Sequence, residues 1–595
     1  MKEMASPVLP AAPATQASSS ALEPKRLRLG CWLIVFVVGL LDAWVHRFQM
    51  DFDGVSYLDV AQNYLRGDWH AAVNAYWSPL YSWLLAVPIS FLHSSLYWES
   101  TLVHLVDFAI LLASYAAFEF LLGELLRSPL VPRPGQEGAV GLSESAWRIL
   151  GLALFLYASL YMSYYDGNTP DLCVTVAAYA AAGLLLRIRS GRAGWRTYVW
   201  LGATLGLGYL AKAAMFPLAF VFLGVALFAT PAPPRARLKF VAAVFVFALF
   251  AGPWIAVLSH SKGRLTFGDS GKLNYISDSS LPPTTDFWGN GFAPGMHFVH
   301  PLPRLAVHPP VFVFPAPVSG TFPPWYDPSY WSEGIEAHFH LQSQLRSLHR
   351  VYDGYFDILT GQEVFLAALL VLLLAQGAFR KYAARFTGSW TLWLPGLAAM
   401  GMYALLHVEP RFVAAFTVLV WLGLFAPLRL PNVESSQRWA LSAVLALMLV
   451  TSLPTARSIV SYVYQVPRPA PHMNWTVAQE LHRLGVPPGG SISVIGFPKD
   501  SFYFAHLARV RIVAAVPPDG VNEYWFAPPE IQAKVLSLFA AAGATAIVAS
   551  DVPAGGNLSG WSHIGATSYW VKLISNAVTT PGPKESTGSP QSTHE

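Results

Sequence analysis

Charge and cysteine are both scarce in this 595-residue chain: 12% of its residues are Asp, Glu, Lys or Arg, and two are cysteine. A soluble domain carries roughly 25% charged residues. Together with 54% hydrophobic residues and a mean hydropathy of +0.41, the deficit places the chain among polytopic membrane proteins. The formal net charge of +4 is small for this length, and the basic residues sit in short clusters between apolar runs. They therefore report topology rather than nucleic-acid binding. Cys31 and Cys173 fall near opposite ends of their spans, farther apart than the Cα separation of about 7 Å that a disulfide tolerates. Neither a disulfide nor a cysteine metal site follows. No GxxxxGK[ST], GxGxxG or GxSxG pattern is present, which argues against nucleotide-driven transport and α/β-hydrolase chemistry. His297, His300, His308, His338, His340 and His349 lack HExxH or other zinc spacing and read as surface or core histidines.

What the chain does have is apolar runs of membrane length. An Ala-, Pro- and Ser-rich stretch over residues 1–24 cannot build a core and reads as a disordered cytosolic tail. Lys25-Arg26-Leu27-Arg28 then abuts the first span, residues 31–48, long enough to cross about 30 Å of hydrocarbon. Further spans read as 98–125, 147–165, 170–187, 196–211, 213–230, 240–258, 362–379, 389–407, 411–428 and 438–455, about eleven in all. Pro79 to Leu92 is shorter, contains Pro88 and reads as a re-entrant or interfacial helix. With that segment not crossing, Arg127 and Arg133, the Arg187 to Arg196 cluster, Arg235 to Lys239, Arg380 to Arg385, and Arg429 and Arg438 all fall in the cytosol, as the positive-inside rule requires. If it crossed, the clusters from Arg127 to Lys239 would move outside.

This topology puts the polar chemistry on the outer face. There lie the acidic loop after the first span, the Asp166-Gly167-Asn168-Thr169-Pro170-Asp171 turn, the Lys212 turn, a Pro- and aromatic-rich loop over 259–361, the His407-Val408-Glu409-Pro410-Arg411 turn and the C-terminal region. Loops as long as 259–361 are functional lids or disordered, and the aromatic density of this one, including Phe322-Pro323-Pro324-Trp325-Tyr326, argues against simple disorder. Strand-like Ser491 to Ile495, Arg511 to Val516 and Ala544 to Ala549 alternate with helical Val477 to Leu484, Ser501 to Leu507 and Pro529 to Ala542. They predict a small α/β domain over 470–575, followed by a disordered tail, 576–595. The expected architecture is an all-α polytopic membrane domain, with modules at 25–258 and 362–456, carrying a large extracytoplasmic loop and a small α/β domain.

Carboxylates at a membrane boundary are costly unless they do chemistry, hold a cation or face water. Asp53, Tyr57, Ala61 and Tyr64 share helical spacing, so Gly54 to Leu65 reads as an amphipathic helix lying on the membrane with Asp53 near its positive end. Asp53 is a candidate general base; the bland alternative is that it merely caps this helix. Asp51-x-Asp53 is also a carboxylate pair of the kind that takes Mg²⁺ or Mn²⁺, against a metal-free structural role. Asp166 and Asp171 are candidates in the second outer turn, or a solvated turn with Asp171 opening a helix after Pro170. Lys212, in an otherwise apolar stretch, wants an anionic partner or a route to the interface. With Arg411 it would make a phosphate clamp, and Glu409 paired with Arg411 as a structural bridge is the competing reading.

The segment Asp53-Gly54-Val55-Ser56-Tyr57-Leu58-Asp59-Val60-Ala61, with Gly67-Asp68-Trp69 and Ser78-Pro79-Leu80-Tyr81, resembles the first external loop of the polytopic GT-C glycosyltransferases. The nearest patterns are those of the protein O-mannosyltransferases, the lipid A aminoarabinose transferases and their rhizobial lipopolysaccharide relatives. Tyr209-Leu210-Ala211-Lys212 is similar to their Leu-Thr-Lys turn, and Glu409-Pro410-Arg411-Phe412 to their Glu-Arg-Tyr segment. The resemblance spans roughly residues 30 to 430. It implies a GT-C fold and transfer, with inversion, of a sugar from a polyprenyl-phosphate donor to an extracytoplasmic hydroxyl of a glycan, lipid or protein. It further implies Asp53 as base or orienter of the acceptor, with Tyr57 and Asp51 beside the substrate. Asp171 or Asp166 would lie near the reaction centre, and Lys212, Arg411 and Glu409 near the donor phosphate, at the outer face of a cell membrane (the periplasmic face in a bacterium). Many members carry Glu where this chain has Gly54, and the C-terminal α/β region differs from the best-known relatives. A transporter or flippase of lipid-linked sugars is the alternative. It would place ionisable groups near the bilayer midplane and often shows inverted repeats, whereas these charges crowd the outer boundary.

Overall fold

The computed structural model describes residues 15–92, 95–132, 139–164, 167–230, 233–277, 297–376, 379–431, 433–465, 472–496, 502–550 and 552–574. They form two compact units. The larger takes residues up to 302, 316–475 and 499–507, and the smaller takes 303–315, 476–498 and 508 onward.

The larger unit is helical. Its helices include α1 (Thr15–Val45), α2 (Phe52–Arg66), α3 (Pro79–Leu92), α4 (Glu99–Leu126), α5 (Glu144–Leu156), α6 (Asp171–Arg189), α7 (Trp195–Ala211), α8 (Met215–Ala229), α9 (Pro233–Lys262), α10 (Leu341–Thr360), α11 (Glu363–Gln376), α12 (Trp390–Ala404), α13 (Pro410–Phe425), α14 (Glu434–Gln465) and α15 (Tyr503–Leu507). Among the described residues six helices are long and apolar enough to cross a membrane. The pair α10 and α11, bent by 62° at its break, makes a seventh if counted as one span. The chain is a multi-pass membrane protein. The expected spans at 196–211, 213–230, 389–407 and 411–428 are helices α7, α8, α12 and α13 of 15 to 17 residues, short of the about 20 that cross the hydrocarbon upright. The helix α1 begins at Thr15, inside the stretch expected to be a disordered tail; residues 1–14 and 575–595 lie outside the described residues.

Small residues let these helices approach closely. At Gly202 on α7, an added Cβ would collide with the Ala243 carbonyl oxygen of α9, so this crossing is set by the absence of a side chain. The basic clusters expected in the cytosol meet a fully buried acid: Glu124, near the end of α4, pairs with Arg187 at 2.7 Å, Arg192 at 2.8 Å and Arg127 at 3.6 Å. Cys31 and Cys173 are both free and buried.

Pro79–Leu92 is a helix over the 14 residues singled out as too short to span. It props α2, with the Ser82 hydroxyl donating to the Tyr57 carbonyl at 2.9 Å. Although amphipathic in sequence, α2 does not simply lie on a surface, because Gly54 to Ala61 and Asn63 are all buried. Its N-cap is Asp51, whose Oδ1 accepts the Gly54 N–H at 2.7 Å. The capping reading of Asp53 is thereby overturned: the cap satisfies an otherwise orphaned helix donor, and Asp51 supplies it.

The smaller unit is an α/β layer with strands β1 (Arg304–Ala306), β2 (Val311–Val313), β3 (Ser491–Ile495), β4 (Arg511–Val516), β5 (Ala546–Ala549), β6 (Ser562–His563) and β7 (Trp570–Leu573). The sheet order is β1-β2-β4-β3-β5-β7-β6. The three strands expected from sequence, β3, β4 and β5, pair in parallel at its centre, and the remaining pairings are antiparallel. Phe539 of the helix Pro529–Ala541 packs with Ile495, Val516, Ile547 and Trp525 in one core. Two corrections to the expected 470–575 domain follow. The hairpin of β1 and β2 comes from the long loop 259–361, joined by Phe312 pairing with Ala515. Conversely, α15 belongs to the larger unit.

Candidate active site

Four separate turns of the larger unit bring charged side chains to one cavity of about 600 Å³. Asp53 enters from the first turn of α2 and Asp171 from the first turn of α6. Lys212 stands where extended backbone ends α7 (φ −153°, ψ 128°), and Arg411 follows Pro410 at the start of α13. Proline is suited to that first helical position, where its missing N–H is not needed.

These groups hold one another. The Lys212 ammonium donates to Asp171 Oδ1 at 2.5 Å, and Asp171 Oδ2 accepts the Thr169 hydroxyl at 2.9 Å. The Arg411 guanidinium donates through Nε to Glu409 at 2.6 Å and turns both Nη1 and Nη2 to Asp53 Oδ2 at 3.4 Å; its Nε lies 3.9 Å from Asp171. His407 meets the other Glu409 oxygen at 3.1 Å. Lys212 also sits 3.8 Å above the Phe412 ring, a cation–π contact. Asp53, Asp171 and Glu409 thus surround two cations, one carboxylate in excess when all are ionised. The bridge between Glu409 and Arg411 considered from sequence is formed, and it coexists with the Asp53 contact.

Electrostatics separate the carboxylates. Burial would raise Glu409, but hydrogen bonds from His407 and Arg411 and their charge hold it down to about 2. Burial pushes Asp53 above the ordinary carboxylate range, with Arg411 and the Trp325 indole N–H pulling against that shift. Asp51 is raised further by burial and by the nearby Asp53. Burial, with Asp53 and Asp171 nearby, drives the Tyr57 phenol well above its usual value, so it faces the cavity as a neutral hydroxyl.

The two carboxylates of Asp51-x-Asp53 turn to different partners. Asp51 turns back to the Gly54 N–H and to the 167–168 turn, where an added Cβ on Gly167 (φ 134°) would run into its Oδ2. Asp53 points forward to Trp325 Nε1 at 3.1 Å and to Arg411. Among the described residues no group of three or more His, Cys, Asp or Glu is placed to hold a metal ion. Asp51 is therefore a capping residue beside the site rather than part of the cavity wall, and Asp166 lies outside the described residues.

No family model matches the chain, and no curated protein matches it. Solved structures do. ArnT from Cupriavidus metallidurans in the apo state is 13% identical at a TM-score of 0.38, with 91% of this chain and 98% of ArnT covered. ArnT bound to undecaprenyl phosphate gives 13%, 0.38, 91% and 97%. The apo Archaeoglobus fulgidus oligosaccharyltransferase is 13% identical at a TM-score of 0.45, with 88% of this chain and 69% of that one covered. ArnT, a lipid A aminoarabinose transferase, and oligosaccharyltransferase are both GT-C proteins.

The long loop supplies site residues that the charge pattern did not single out. Trp325 donates to Asp53, and its carbonyl accepts Trp77 Nε1 at 3.0 Å and the Ser56 hydroxyl at 3.2 Å. Its signal was the aromatic run Phe322 to Tyr326, whose density implied order without naming a partner. Arg264 and Lys272 also line the cavity and add two more cations, with Arg264 Nη2 donating to both Asp269 oxygens at 2.7 Å. Two cations flanking an Asp just after a span were the available cue.

Proposed function

We propose that the chain is an integral-membrane glycosyltransferase that moves a sugar from a polyprenyl-phosphate donor to an acceptor hydroxyl, with inversion at the anomeric carbon. The observation that carries this reading is the convergence of Asp53, Asp171, Lys212 and Arg411, from four turns far apart in sequence, on one cavity wide enough for a sugar and its phosphate. Prenyl phosphate is already a good leaving group, so the protein need only take a proton from the acceptor and stabilise charge growing on phosphate.

Asp53 takes the acceptor proton. Its raised affinity for protons suits a base better than an ordinary surface carboxylate would. The acceptor oxygen forms the new bond to the anomeric carbon while the bond to the phosphate oxygen breaks, and the electron pair leaves with the prenyl phosphate. Lys212 keeps donors beyond the one given to Asp171, and together with Arg411 it faces that developing charge. Asp171 and Glu409 hold the two cations in place, and Tyr57 donates to the substrate as a neutral hydroxyl. The aromatic walls, among them Tyr76, Trp77 and Tyr403, provide flat apolar faces for a sugar ring. The site faces the extracytoplasmic side on the charge pattern of the loops.

Product analysis tests the proposal. Purified protein in liposomes is given radiolabelled polyprenyl-phosphate sugars and candidate acceptors. Glycosylated acceptor with released polyprenyl phosphate is the expected result. Intact donor on the far leaflet, with neither product, would replace transfer by transport.

A further inference from the structure

Behind α2, on the side turned away from Tyr57, lies a second buried cluster of charge. The side chain of His506, on α15, is 2% exposed and sits between two carboxylates: its Nδ1 is 2.8 Å from Asp59 Oδ1 and its Nε2 is 3.0 Å from Glu99 Oε2. Asp59 belongs to α2, and Glu99 opens α4. Burial opposes the charged imidazole, but Glu99 and Asp59 raise it to about 10, so it is an imidazolium at neutral pH. The Tyr503 hydroxyl also donates to Glu99, at 3.3 Å. None of these groups lines the cavity.

The same Asp59 carboxylate holds the start of the segment that ends at the candidate base. Its Oδ2 accepts the Thr321 backbone N–H at 2.6 Å and its Oδ1 the Thr321 hydroxyl at 3.0 Å. Four residues on, the Trp325 indole donates to Asp53. Between them Phe322 packs on Phe502 at 4.3 Å between ring centroids, and Phe502 in turn meets Phe52 at 5.4 Å. The segment 502–507 therefore braces α2 and the 321–325 segment together. A buried Asp59 stripped of its cation would carry an uncompensated charge, which is costly enough to rearrange its neighbours.

We propose that His506 is a positioning residue for Asp53, acting through Asp59, Thr321 and Trp325. The inference rests on the reading of Asp53 as the base. Removing the imidazolium loosens Thr321, and with it the indole N–H that favours the ionised form of Asp53. The other groups facing Asp53 stay in place: Asp51 and Tyr57 on α2, Asp171 on α6, Lys212, and Glu409 and Arg411 at α13. The acid limb of the pH–rate profile then moves to higher pH.

The test uses the full chain in nanodiscs with His506→Ala, His506→Gln and Trp325→Phe, and the His506→Ala, Trp325→Phe double variant. Hydrogen exchange of the peptide carrying the Thr321 amide is expected to speed up by about tenfold in both His506 variants, the loss of one charge-assisted bond. The acid limb should shift up in His506→Ala and in Trp325→Phe, with no further shift in the double variant. A purely structural role would lower the amplitude of the profile without moving the limb. Unchanged exchange at Thr321 in a folded His506→Gln protein, or additive shifts in the double variant, would overturn the proposal. Wild-type protein that transfers no sugar would overturn the transferase reading alone, since the exchange measurement needs no substrate.

Discussion

Replacing Asp53 by Asn removes a base while changing little else. In the structure Asp53 Oδ1 accepts the Trp325 indole N–H, a bond the amide oxygen keeps, and Oδ2 faces Arg411 across 3.4 Å. The amide nitrogen would turn a donor toward that guanidinium, but Arg411 retains Glu409 at 2.6 Å and Asp171 at 3.9 Å, so the fold should lose only about 1 kcal/mol. Loss of a general base costs about 10² to 10⁴ in rate, equivalent to about 3 to 5 kcal/mol of barrier. The assay is single-turnover transfer of labelled sugar by reconstituted protein, over a range of pH. Burial raises the Asp53 carboxyl above the usual value of about 3.9. The wild-type rate is therefore full above that raised value and falls as the pH drops through it, whereas the Asn variant lacks this limb. Asp51→Asn supplies the comparison, because Asn caps a helix about as well as Asp and the change should cost under about tenfold in rate. A folded Asp53→Asn protein with wild-type turnover would refute the assignment.

Arg411→Lys keeps one positive charge but cannot serve Glu409 and Asp53 together, so transfer should fall by about 10- to 100-fold, the worth of one or two charge-assisted bonds; unchanged kcat/KM would count against the clamp. Glu124→Ala strands Arg187 and Arg192 and should lower stability by about 3 kcal/mol, the low end for a broken buried pair because both arginines reach solvent; thermal unfolding in detergent measures it. Cysteines introduced at 409 and 237 should react from outside and inside respectively with a membrane-impermeant maleimide, and the reverse pattern would overturn the proposed orientation.

Local pattern carried much of this structure. The strands Ser491–Ile495 and Arg511–Val516 occupy the residues read as strand-like between helical stretches, and Pro79–Leu92 is helical over the whole of its short apolar run. What the sequence leaves hidden is hidden by distance. Asp51 and Asp53 are neighbours in sequence, yet one caps its own helix and the other reaches Arg411, 358 residues away. Charge type marked Lys212 and Arg411 as phosphate ligands. Glu409 beside Arg411 is legible as a partner in the sequence, but Asp171 for Lys212 and Asp53 for Arg411 appear only once separate turns are brought together, because a buried cation takes the nearest anion. The pairing of His506 with Asp59 left no local trace at all, since a lone histidine in a short helix has many ordinary uses.

The sheet of the smaller unit has a consequence for the order in which the protein is made. Its strand Val311–Val313 pairs with Arg511–Val516, about 200 residues later, with helices α10 to α14 between them. At about 5 to 20 residues per second, the ribosome takes on the order of 10 to 40 s to deliver the partner strand. Throughout that interval the hairpin waits with one edge unpaired, a state that invites pairing with another chain. Biogenesis of this protein thus includes a stage at which most of its membrane helices exist and its sheet does not, and any chain ending before Val516 stays there.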